Sequence, residues 1–326
     1  MIAVHGGAGL FREGIEQFCA TALKDDGLGK AGNNLTSSDE IEVGNRLVKA
    51  IMKLEKCSKF NCGYGSNLTE AGTVECEAAF MCSENLAFGG VASVTNCVHP
   101  IYAAHKLSMS HKSNSEENGL IKPIVLVGKG ANQYCEAFNV GIVLNENLRT
   151  ERAKRDRNLA MKRVFNNDNI SRLDTTGGVF IDENGYCEAG VSSGGILLKK
   201  EGRLGHSTQF RAAIWAEKRE NVSIAISLSG CGETLIRTRM AEIIAEFFFS
   251  KRRIFLKIKK DYKTFPVSYL CWEGIAAVQS NKISTLYAFH NSAHFPIAFK
   301  GLDQKIRKFN SKNERVGNFV CNSFIL

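Results

Sequence analysis

Residues 173–179 read LDTTGGV, and this stretch decides how the rest of the chain is interpreted. An Asp, two Thr and two Gly ahead of an apolar run are typical of a turn before a strand. A threonine hydroxyl also becomes a nucleophile when a base takes its proton, and its own α-amine can be that base once the residue begins a chain. The ordinary pKa of that amine, about 7.7 to 8.0, suits neutral pH. The stretch is therefore either a turn or a site of self-cleavage before Thr175.

Self-cleavage here requires that the Asp174–Thr175 peptide bond break. The Thr175 hydroxyl would attack the Asp174 carbonyl in an N-to-O acyl shift, and hydrolysis of the resulting ester would separate the two residues. Gly177 and Gly178 would let other backbone segments approach the nucleophile closely.

The composition is that of an ordinary globular protein, with 326 residues, 44% hydrophobic and 23% charged. No run of about 18 apolar residues occurs, and MIAVHGGAG lacks a basic segment followed by an apolar one. We therefore expect neither a membrane span nor a secretory signal, and a location in the cytoplasm or nucleus. The eleven cysteines are odd in number and form no CxxC pair, so we expect reduced, mostly buried thiols and no zinc site.

The formal net charge of +9 is concentrated in two basic runs, residues 149–172 and 251–263. Either run could contact nucleic acid or an acidic partner. Solvated charge on a connection or a sheet edge is the favoured interpretation, because neither run interleaves the aromatic residues of a base-stacking surface.

Apolar periodicity predicts alternating strands and helices. A hairpin is expected around Glu183-Asn184-Gly185, and 145–172 has no clear period, which indicates an exposed connection. Strands are predicted in MIAV, 73–81, 89–98, 122–128, 221–230, 274–279 and 284–290. Helices are predicted over 38–56 with Ser37 or Ser38 as the cap, over 99–108, and over 231–249 entered through Gly232. Sheets covered by helices are the expected arrangement.

Five blocks follow one another at compatible spacing: VHGGAG at 4–9, residues 60–81, LDTTGGV, residues 191–206 and residues 227–238. Together they resemble the Ntn-hydrolase family of plant-type asparaginases, and most closely its protease branch, the threonine aspartases or taspases. The resemblance implies an α+β fold, a four-layer αββα sandwich, in one domain spanning 1–326. It also implies cleavage into an α chain of 1–174 and a β chain of 175–326, assembled as a dimer of processed pairs.

The resemblance assigns the catalytic roles by position. Thr175 matches the nucleophile after the cleavage-site residue Asp174, and Ser193 matches a second hydroxyl that orients it. Ser229 and Gly230 match an oxyanion hole, whose donors stabilise the charge that develops during attack.

The remaining matched positions concern the substrate. Arg203 matches an arginine that holds a substrate carboxylate, a task suited to the guanidinium fork, and Gly232 and His206 lie with it at the substrate site. Asn61 matches an Asn that braces the nucleophile. No cofactor or catalytic metal is expected, although carbonyls of the loop Leu54–Tyr64 resemble a structural sodium site.

His206 is the clue to substrate class. Asparaginases that act on the free amino acid carry an Asp at this position, which pairs with the α-ammonium, and an imidazole cannot replace it. The favoured prediction is therefore a self-processing threonine endopeptidase that cleaves protein substrates after aspartate. The alternatives are an L-asparaginase or isoaspartyl peptidase of the same fold, and a catalytically inactive binding relative.

Three positions depart from the family pattern. Thr176 stands where the family has Val, and Gly178 where it has Ala. Arg211 lies in FRAAIWAE (210–217), which replaces a glycine-rich turn near the pocket, and could add a second cation for an acidic substrate or obstruct the site.

Overall fold

The computed structural model describes residues 1–7, 14–24, 44–111, 120–165, 174–250, 272–315 and 317–326. The basic run 251–263 and the predicted cap at Ser37 or Ser38 lie outside the described residues. So does Leu173, the first residue of LDTTGGV.

Within these residues the strands form two sheets. The first has eight strands in the order β12-β11-β1-β5-β6-β2-β3-β4, and the second has five in the order β13-β10-β9-β8-β7. The strands are β1 (Ile2–His5), β2 (Cys76–Cys82), β3 (Phe88–Val94), β4 (Val125–Val127), β5 (Thr176–Ile181), β6 (Cys187–Ser193), β7 (Ile214–Arg219), β8 (Val222–Gly230), β9 (Trp272–Ser280), β10 (Ile283–His290), β11 (His294–Lys300), β12 (Ile306–Lys312) and β13 (Val320–Ile325).

The hairpin predicted around Asn184-Gly185 is confirmed, because β5 and β6 pair antiparallel with Thr176 opposite Ser192. Side chains alternate between the two faces of a strand. Thr175 and Ser193, each one residue beyond this pair, therefore lie together at one end of the hairpin, on the opposite face from Thr176 and Ser192. The turn that joins the strands thus sets the position of the predicted nucleophile.

The two sheets stack face to face around one apolar core. Val179 and Val191 from the first sheet share this core with Ala225 and Ala277 from the second. A polar contact also crosses the gap, since the Ser227 hydroxyl donates to the Gly190 carbonyl at 3.2 Å. The small residues on these facing strands allow the sheets to approach closely around the end of β5.

Helices cover the outer faces of both sheets. The helices in the described residues are α1 (Ile15–Ala22), α2 (Arg46–Lys56), α3 (Pro100–Ser110), α4 (Lys129–Ala137), α5 (Asn145–Leu148), α6 (Glu151–Phe165), α7 (Gly232–Thr238) and α8 (Met240–Ser250). Fully buried Leu47 and Ile51 of α2 pack against β5 and β6, and each such side chain contributes roughly 1.5–3 kcal/mol. Ile244 of α8 packs on the second sheet. The predicted αββα sandwich is confirmed.

Several predictions about individual elements are wrong. The cap of α2 is Asn45, whose side chain accepts from the Val48 amide at 2.9 Å, within a helix that begins at Arg46. The helix predicted over 231–249 is two helices, because Arg239 adopts a left-handed conformation with φ of 52° between them. The predicted buried strand at 122–128 is β4, a half-exposed strand at the edge of its sheet.

The exposed connection predicted over 145–172 is helical in its described part, through α5 and α6, and its exposed side chains include Glu151, Lys154 and Arg155. Arg152 donates to the carbonyls of Ser58, at 3.1 Å, and Gly65, and Arg157 donates to the carbonyl of Thr69 at 3.3 Å. Part of this basic run therefore binds the protein's own backbone. Every helix among the described residues is too short or too polar to cross a bilayer.

All ten cysteines that the structure describes are free thiols, and eight of them are buried. Their burial agrees with the mostly buried thiols expected from the sequence. Among the described residues, no group of three His, Cys, Asp or Glu side chains is placed to hold a metal ion.

Candidate active site

Thr175 lies immediately before β5 and is held by a serine from each sheet. Its side chain is buried, with 4% of the residue exposed. The Thr175 hydroxyl donates to Ser193 Oγ at 3.2 Å, and the Thr175 amide nitrogen donates to Ser229 Oγ at 3.2 Å. Ser193 ends β6 of the first sheet and Ser229 lies near the end of β8 of the second. The hydroxyl of the predicted nucleophile is therefore fixed within the first sheet, and its nitrogen by the stacking of the second sheet on the first.

The turn after β6 holds Ser193 in place. The Gly195 amide donates to Ser193 Oγ at 3.0 Å, and the Asn61 side chain donates to the Gly195 carbonyl at 2.8 Å. Asn61 also accepts from the Asn67 amide at 2.8 Å through its Oδ1. Asn61 thus braces the turn that carries Ser193, and it acts on Thr175 through that turn.

Gly7 of the VHGGAG block packs directly on the predicted cleavage site. A Cβ added at Gly7 would lie 2.8 Å from the Thr175 carbonyl oxygen and 2.9 Å from the Asp174 carbonyl carbon. Its φ of +87° is also one that side chains rarely adopt. Glycine at this position therefore lets β1 and the segment 174–175 share one end of the sheet.

The predicted site residues converge on one cleft. Its lining includes Asp174, Thr175, Ser193, Arg203, His206, Gly230, Gly232, Asn61 and Glu77. The cavity volume is about 10 Å³, which is room for about one water molecule. Because Asp174 forms part of the wall, we expect a substrate to enter only after the segment before Thr175 has moved away.

Arg203 lines the same cleft as Thr175, and its guanidinium already holds a carboxylate. Its Nε and Nη2 donate to Glu233 Oε1 at 3.0 and 2.7 Å. Burial alone would raise the pKa of Glu233, but the hydrogen bond and charge of Arg203 outweigh it and hold that pKa below its ordinary value. A Cβ added at Gly232 would lie 2.9 Å from Arg203 Nη2, so this glycine makes room for the guanidinium.

His206 is buried and neutral. Burial, followed by the nearby Arg203 charge, lowers the pKa of His206 to about 4. Its Nε2 has no hydrogen-bond partner among the described residues. A neutral imidazole offers no negative charge to a substrate ammonium, in agreement with the sequence argument.

Glu77 lines the cleft, but the sequence analysis gave it no role, although 73–81 was predicted to be a strand and belongs to the matched block 60–81. It lies on β2 with 2% of the residue exposed, and its Oε2 accepts from the Gly205 amide at 2.8 Å. Burial raises the pKa of Glu77, while the charges of Lys199 and Arg203 oppose that rise. The one available clue was an acid inside an otherwise apolar strand, CEAAFMC.

The structure accounts for the three departures from the family pattern. Thr176 is fully buried on the opposite face of β5 from Thr175, and its hydroxyl lies 3.2 Å from the Ser192 carbonyl oxygen and 3.1 Å from Cys62 Sγ. A Cβ on Gly178 would lie 2.6 Å from the Ala3 carbonyl oxygen. Arg211 pairs with Glu242 at 3.3 Å and does not line the cleft.

The loop Leu54–Tyr64 uses several of its carbonyls internally. The Phe60 and Gly65 amides donate to the carbonyls of Cys57 and Cys62, at 3.2 and 3.0 Å. The Arg152 guanidinium, on the Ser58 and Gly65 carbonyls, supplies a fixed positive charge at the edge of the loop. A sodium ion here stays a prediction.

Comparison with known proteins covers most of the chain. The sequence model of the family described as asparaginase matches residues 1–249. An isoaspartyl peptidase/L-asparaginase from Xenopus laevis is 31% identical over 254 residues, covering 75% of this chain and 74% of the relative. A probable isoaspartyl peptidase/L-asparaginase 2 from Arabidopsis thaliana is 28% identical, covering 90% of this chain and 94% of the relative. An isoaspartyl peptidase from Salmonella typhimurium is 29% identical, covering 75% and 77%.

Proposed function

Since this chain belongs to the asparaginase family of Ntn hydrolases, we propose that it is a self-processing hydrolase of the isoaspartyl peptidase and asparaginase type. Its nucleophile is Thr175, freed as a new N-terminus by cleavage after Asp174. Its substrate is an aspartyl or asparaginyl compound with a carboxylate close to the amide that is hydrolysed. The observation that carries this proposal is that Thr175, Arg203 and Glu77 line one cleft.

The nucleophile is supported by the two serine contacts. The hydrogen bond from the Thr175 hydroxyl to Ser193 fixes the attacking oxygen. After cleavage the nitrogen that now donates to Ser229 becomes the α-amine, which can take the proton of its own hydroxyl. Gly230, with its backbone at the end of β8, remains our proposed contributor to an oxyanion site together with Ser229.

The substrate class is supported by two side chains of opposite charge, Arg203 and Glu77, that line the cleft together beside Gly205. Arg203 suits an α-carboxylate, because it already binds the Glu233 carboxylate through two nitrogens. Glu77 is an acid beside that guanidinium, and an incoming α-ammonium would favour its ionised form. The neutral His206 cannot pair with a free amino group, but Glu77 offers a negative charge from another strand of the same cleft.

Hydrolysis then follows the family's two-step chemistry on these residues. Thr175 attacks the side-chain carbonyl of the bound compound, and the amine or amino acid leaves while an ester forms on the Thr175 oxygen. Water hydrolyses that ester, with the Thr175 amine acting as the base for each proton transfer.

The test uses purified processed protein with a β-aspartyl dipeptide and with L-asparagine as substrates. We expect hydrolysis of the dipeptide, with no activity in Thr175→Ala. Glu77→Gln should raise KM for the dipeptide roughly 10-fold or more through loss of its charge. Glu75→Gln is the matched control, because Glu75 accepts from the Gly202 amide and does not line the cleft.

A second candidate is endopeptidase cleavage after aspartate, favoured by the neutral His206 and by the Asp174–Thr175 bond itself. It predicts that an N-acetylated peptide with an internal aspartate is cleaved and that Glu77→Gln leaves this cleavage unchanged. Failure of the β-aspartyl dipeptide together with cleavage of the acetylated peptide would overturn the first proposal in favour of this one.

A further inference from the structure

A buried carboxyl group lies behind the Asp174–Thr175 bond, on the second sheet. We propose that Glu273 is a positioning acid of self-cleavage, supplying through Ser229 the proton that the Thr175 nitrogen takes when its bond to Asp174 breaks. This inference rests on the proposed self-processing at Thr175 and adds a residue that none of the five sequence blocks contains.

Strand register places Glu273 next to the leaving nitrogen. Glu273 on β9 is the cross-strand partner of Ser229 on β8. Such partners share a face of the sheet with their Cβ atoms about 4.5–5.5 Å apart. Since Ser229 Oγ lies 3.2 Å from the Thr175 nitrogen, Ser229 neighbours both that nitrogen and Glu273.

The hydrogen bonding of Glu273 leaves one oxygen available. The residue is fully buried, and the Ser292 hydroxyl donates to its Oε2 at 2.6 Å. Its Oε1 has no hydrogen-bond partner among the described residues. Because Oε2 already accepts a hydrogen bond, the proton of a neutral carboxyl would lie on Oε1. A buried oxygen atom without a hydrogen-bond partner lowers the stability of the folded protein. Its presence here therefore points to a use during a reaction.

The surroundings favour the protonated form before cleavage. Burial, and after it the charge of Asp174, raises the pKa of Glu273 well above its ordinary value. The other titratable groups on the elements around it are His5 on β1, His290 on β10 and His294 on β11. Burial brings the pKa of His5 to about 3 and lowers that of His290, so neither adds a positive charge near neutral pH.

The proposed step balances in atoms and protons. The Thr175 hydroxyl gives up its proton, which passes by way of Ser193 to water, as its oxygen bonds to the Asp174 carbonyl carbon. The carbon–nitrogen bond breaks, and the nitrogen takes a proton from Ser229; Glu273 replaces that proton from Oε1, which must come within hydrogen-bond distance of the Ser229 hydroxyl during the reaction. Water then hydrolyses the ester, leaving the Asp174 carboxylate, the free Thr175 hydroxyl and one proton, which the new amine takes up to become an ammonium. The Glu273 carboxylate stays beside the new α-ammonium, whose charge stabilises it.

The test measures self-cleavage as a function of pH. A chain made in a short cell-free translation pulse is diluted into buffers from pH 5.5 to 9, and cleavage is followed on denaturing gels. We expect the wild-type rate to fall at the alkaline end, where Glu273 loses its proton. Glu273→Gln should cleave at least 10-fold more slowly at neutral pH without that alkaline fall, and Glu273→Asp should recover most of the rate.

The matched control is Glu188→Gln, a buried glutamate on β6 that pairs with Asn45 and Tyr186 and does not line the cleft. It should cleave like wild type. Wild-type rate and pH profile in Glu273→Gln would overturn the inference while leaving the proposed function standing. A wild-type chain that never cleaves would instead overturn the proposed function, and this inference with it.

A second variant covers the case in which Glu273→Gln fails to fold. The Ser292 hydroxyl donates to Oε2 and thereby stabilises the carboxylate form of Glu273. Ser292→Ala removes this donor, so the pKa of Glu273 should rise. The alkaline fall in cleavage rate should then move to higher pH. An unchanged position of that fall would overturn the inference.

Discussion

The two sides of the Asp174–Thr175 bond are built from different chemistry. On the cleft side, the Arg203–Glu233 pair is formally charged, and the two side chains are 16% and 48% exposed. On the sheet side, Ser229 and Glu273 are fully buried, and burial favours the uncharged form of Glu273. Thr175 lies between them and contacts the sheet side through its nitrogen.

This difference separates binding from proton transfer. A charged pair near solvent can exchange one carboxylate for another at small cost, because water and counter-ions compensate for each loss. A buried neutral acid cannot exchange partners with solvent, but it can pass a proton over a short distance. Substitution of Arg203 should therefore affect turnover of substrate, substitution of Glu273 should affect maturation, and substitution of Ser229, which also belongs to the proposed oxyanion site, should affect both.

The largest effect is expected from Arg203→Ala. Loss of the guanidinium should lower kcat/KM for a β-aspartyl dipeptide by roughly 10³-fold, equivalent to about 4 kcal/mol, while self-cleavage continues. Steady-state kinetics on the processed variant measure this. Arg211→Ala is the control, since Arg211 pairs with Glu242 outside the cleft. An equal loss in the control would contradict the account.

Ser229→Ala should act on the other side. Removing the hydroxyl that accepts from the Thr175 nitrogen should slow self-cleavage roughly 100-fold, the size typical of losing one contact to a reacting group. Timed gels of a translated chain measure the rate. Ser227→Ala, on the same face two residues earlier, contacts His5 and should change it little. Cleavage of Ser229→Ala at the wild-type rate would remove Ser229 from the mechanism.

Acid should destabilise the cleft side through His206. Its folded pKa of about 4 lies below the ordinary 6.5, so the unfolded chain binds a proton first as pH falls from 6.5 toward 4. The free energy of unfolding should drop over that window by on the order of 3 kcal/mol from this group. Urea unfolding of the single-chain Thr175→Ala protein, with and without His206→Gln, measures it. Parallel pH curves for the two proteins would contradict the prediction.

The smallest effect is expected from Thr176→Val. Thr176 faces the helices, so the loss of its hydroxyl should cost about 1 kcal/mol of stability and leave self-cleavage unchanged. Thermal unfolding and timed gels measure the two quantities. A 10-fold slower cleavage would mean that the two threonines are less separate than the fold indicates.

Local pattern was enough to predict much of the fold. The apolar run CEAAFMC, the Asn184-Gly185 turn and Pro100 at the start of α3 gave the right elements because each depends on neighbouring residues. The Asn45 cap and the break at Arg239 were missed because the apolar pattern runs on through both positions. The strands β11, β12 and β13 were also missed; β12 and β13 are edge strands whose partners are set by the sheets.

The candidate site also contains residues that the sequence alone could predict and residues that it could not. Thr175, Ser193, Arg203 and Gly230 stand in blocks that sequence alone could align, and the fold brings them to one cleft. Glu77 and Glu273 are each the single acid in an otherwise largely apolar strand, which marks the residue without showing what lies opposite it. Their roles depend on neighbours that are far apart in the chain. The Gly205 amide donates to Glu77, and Ser229 is the cross-strand partner of Glu273.

The central claim is that the chain cleaves itself before Thr175. Intact mass and N-terminal sequencing of the purified wild-type protein and of Thr175→Ala test it directly. We predict two wild-type chains, 1–174 and 175–326, the second beginning at Thr175, and one uncleaved chain in the variant. A single full-length wild-type chain, or a new N-terminus at any other residue, would contradict the account.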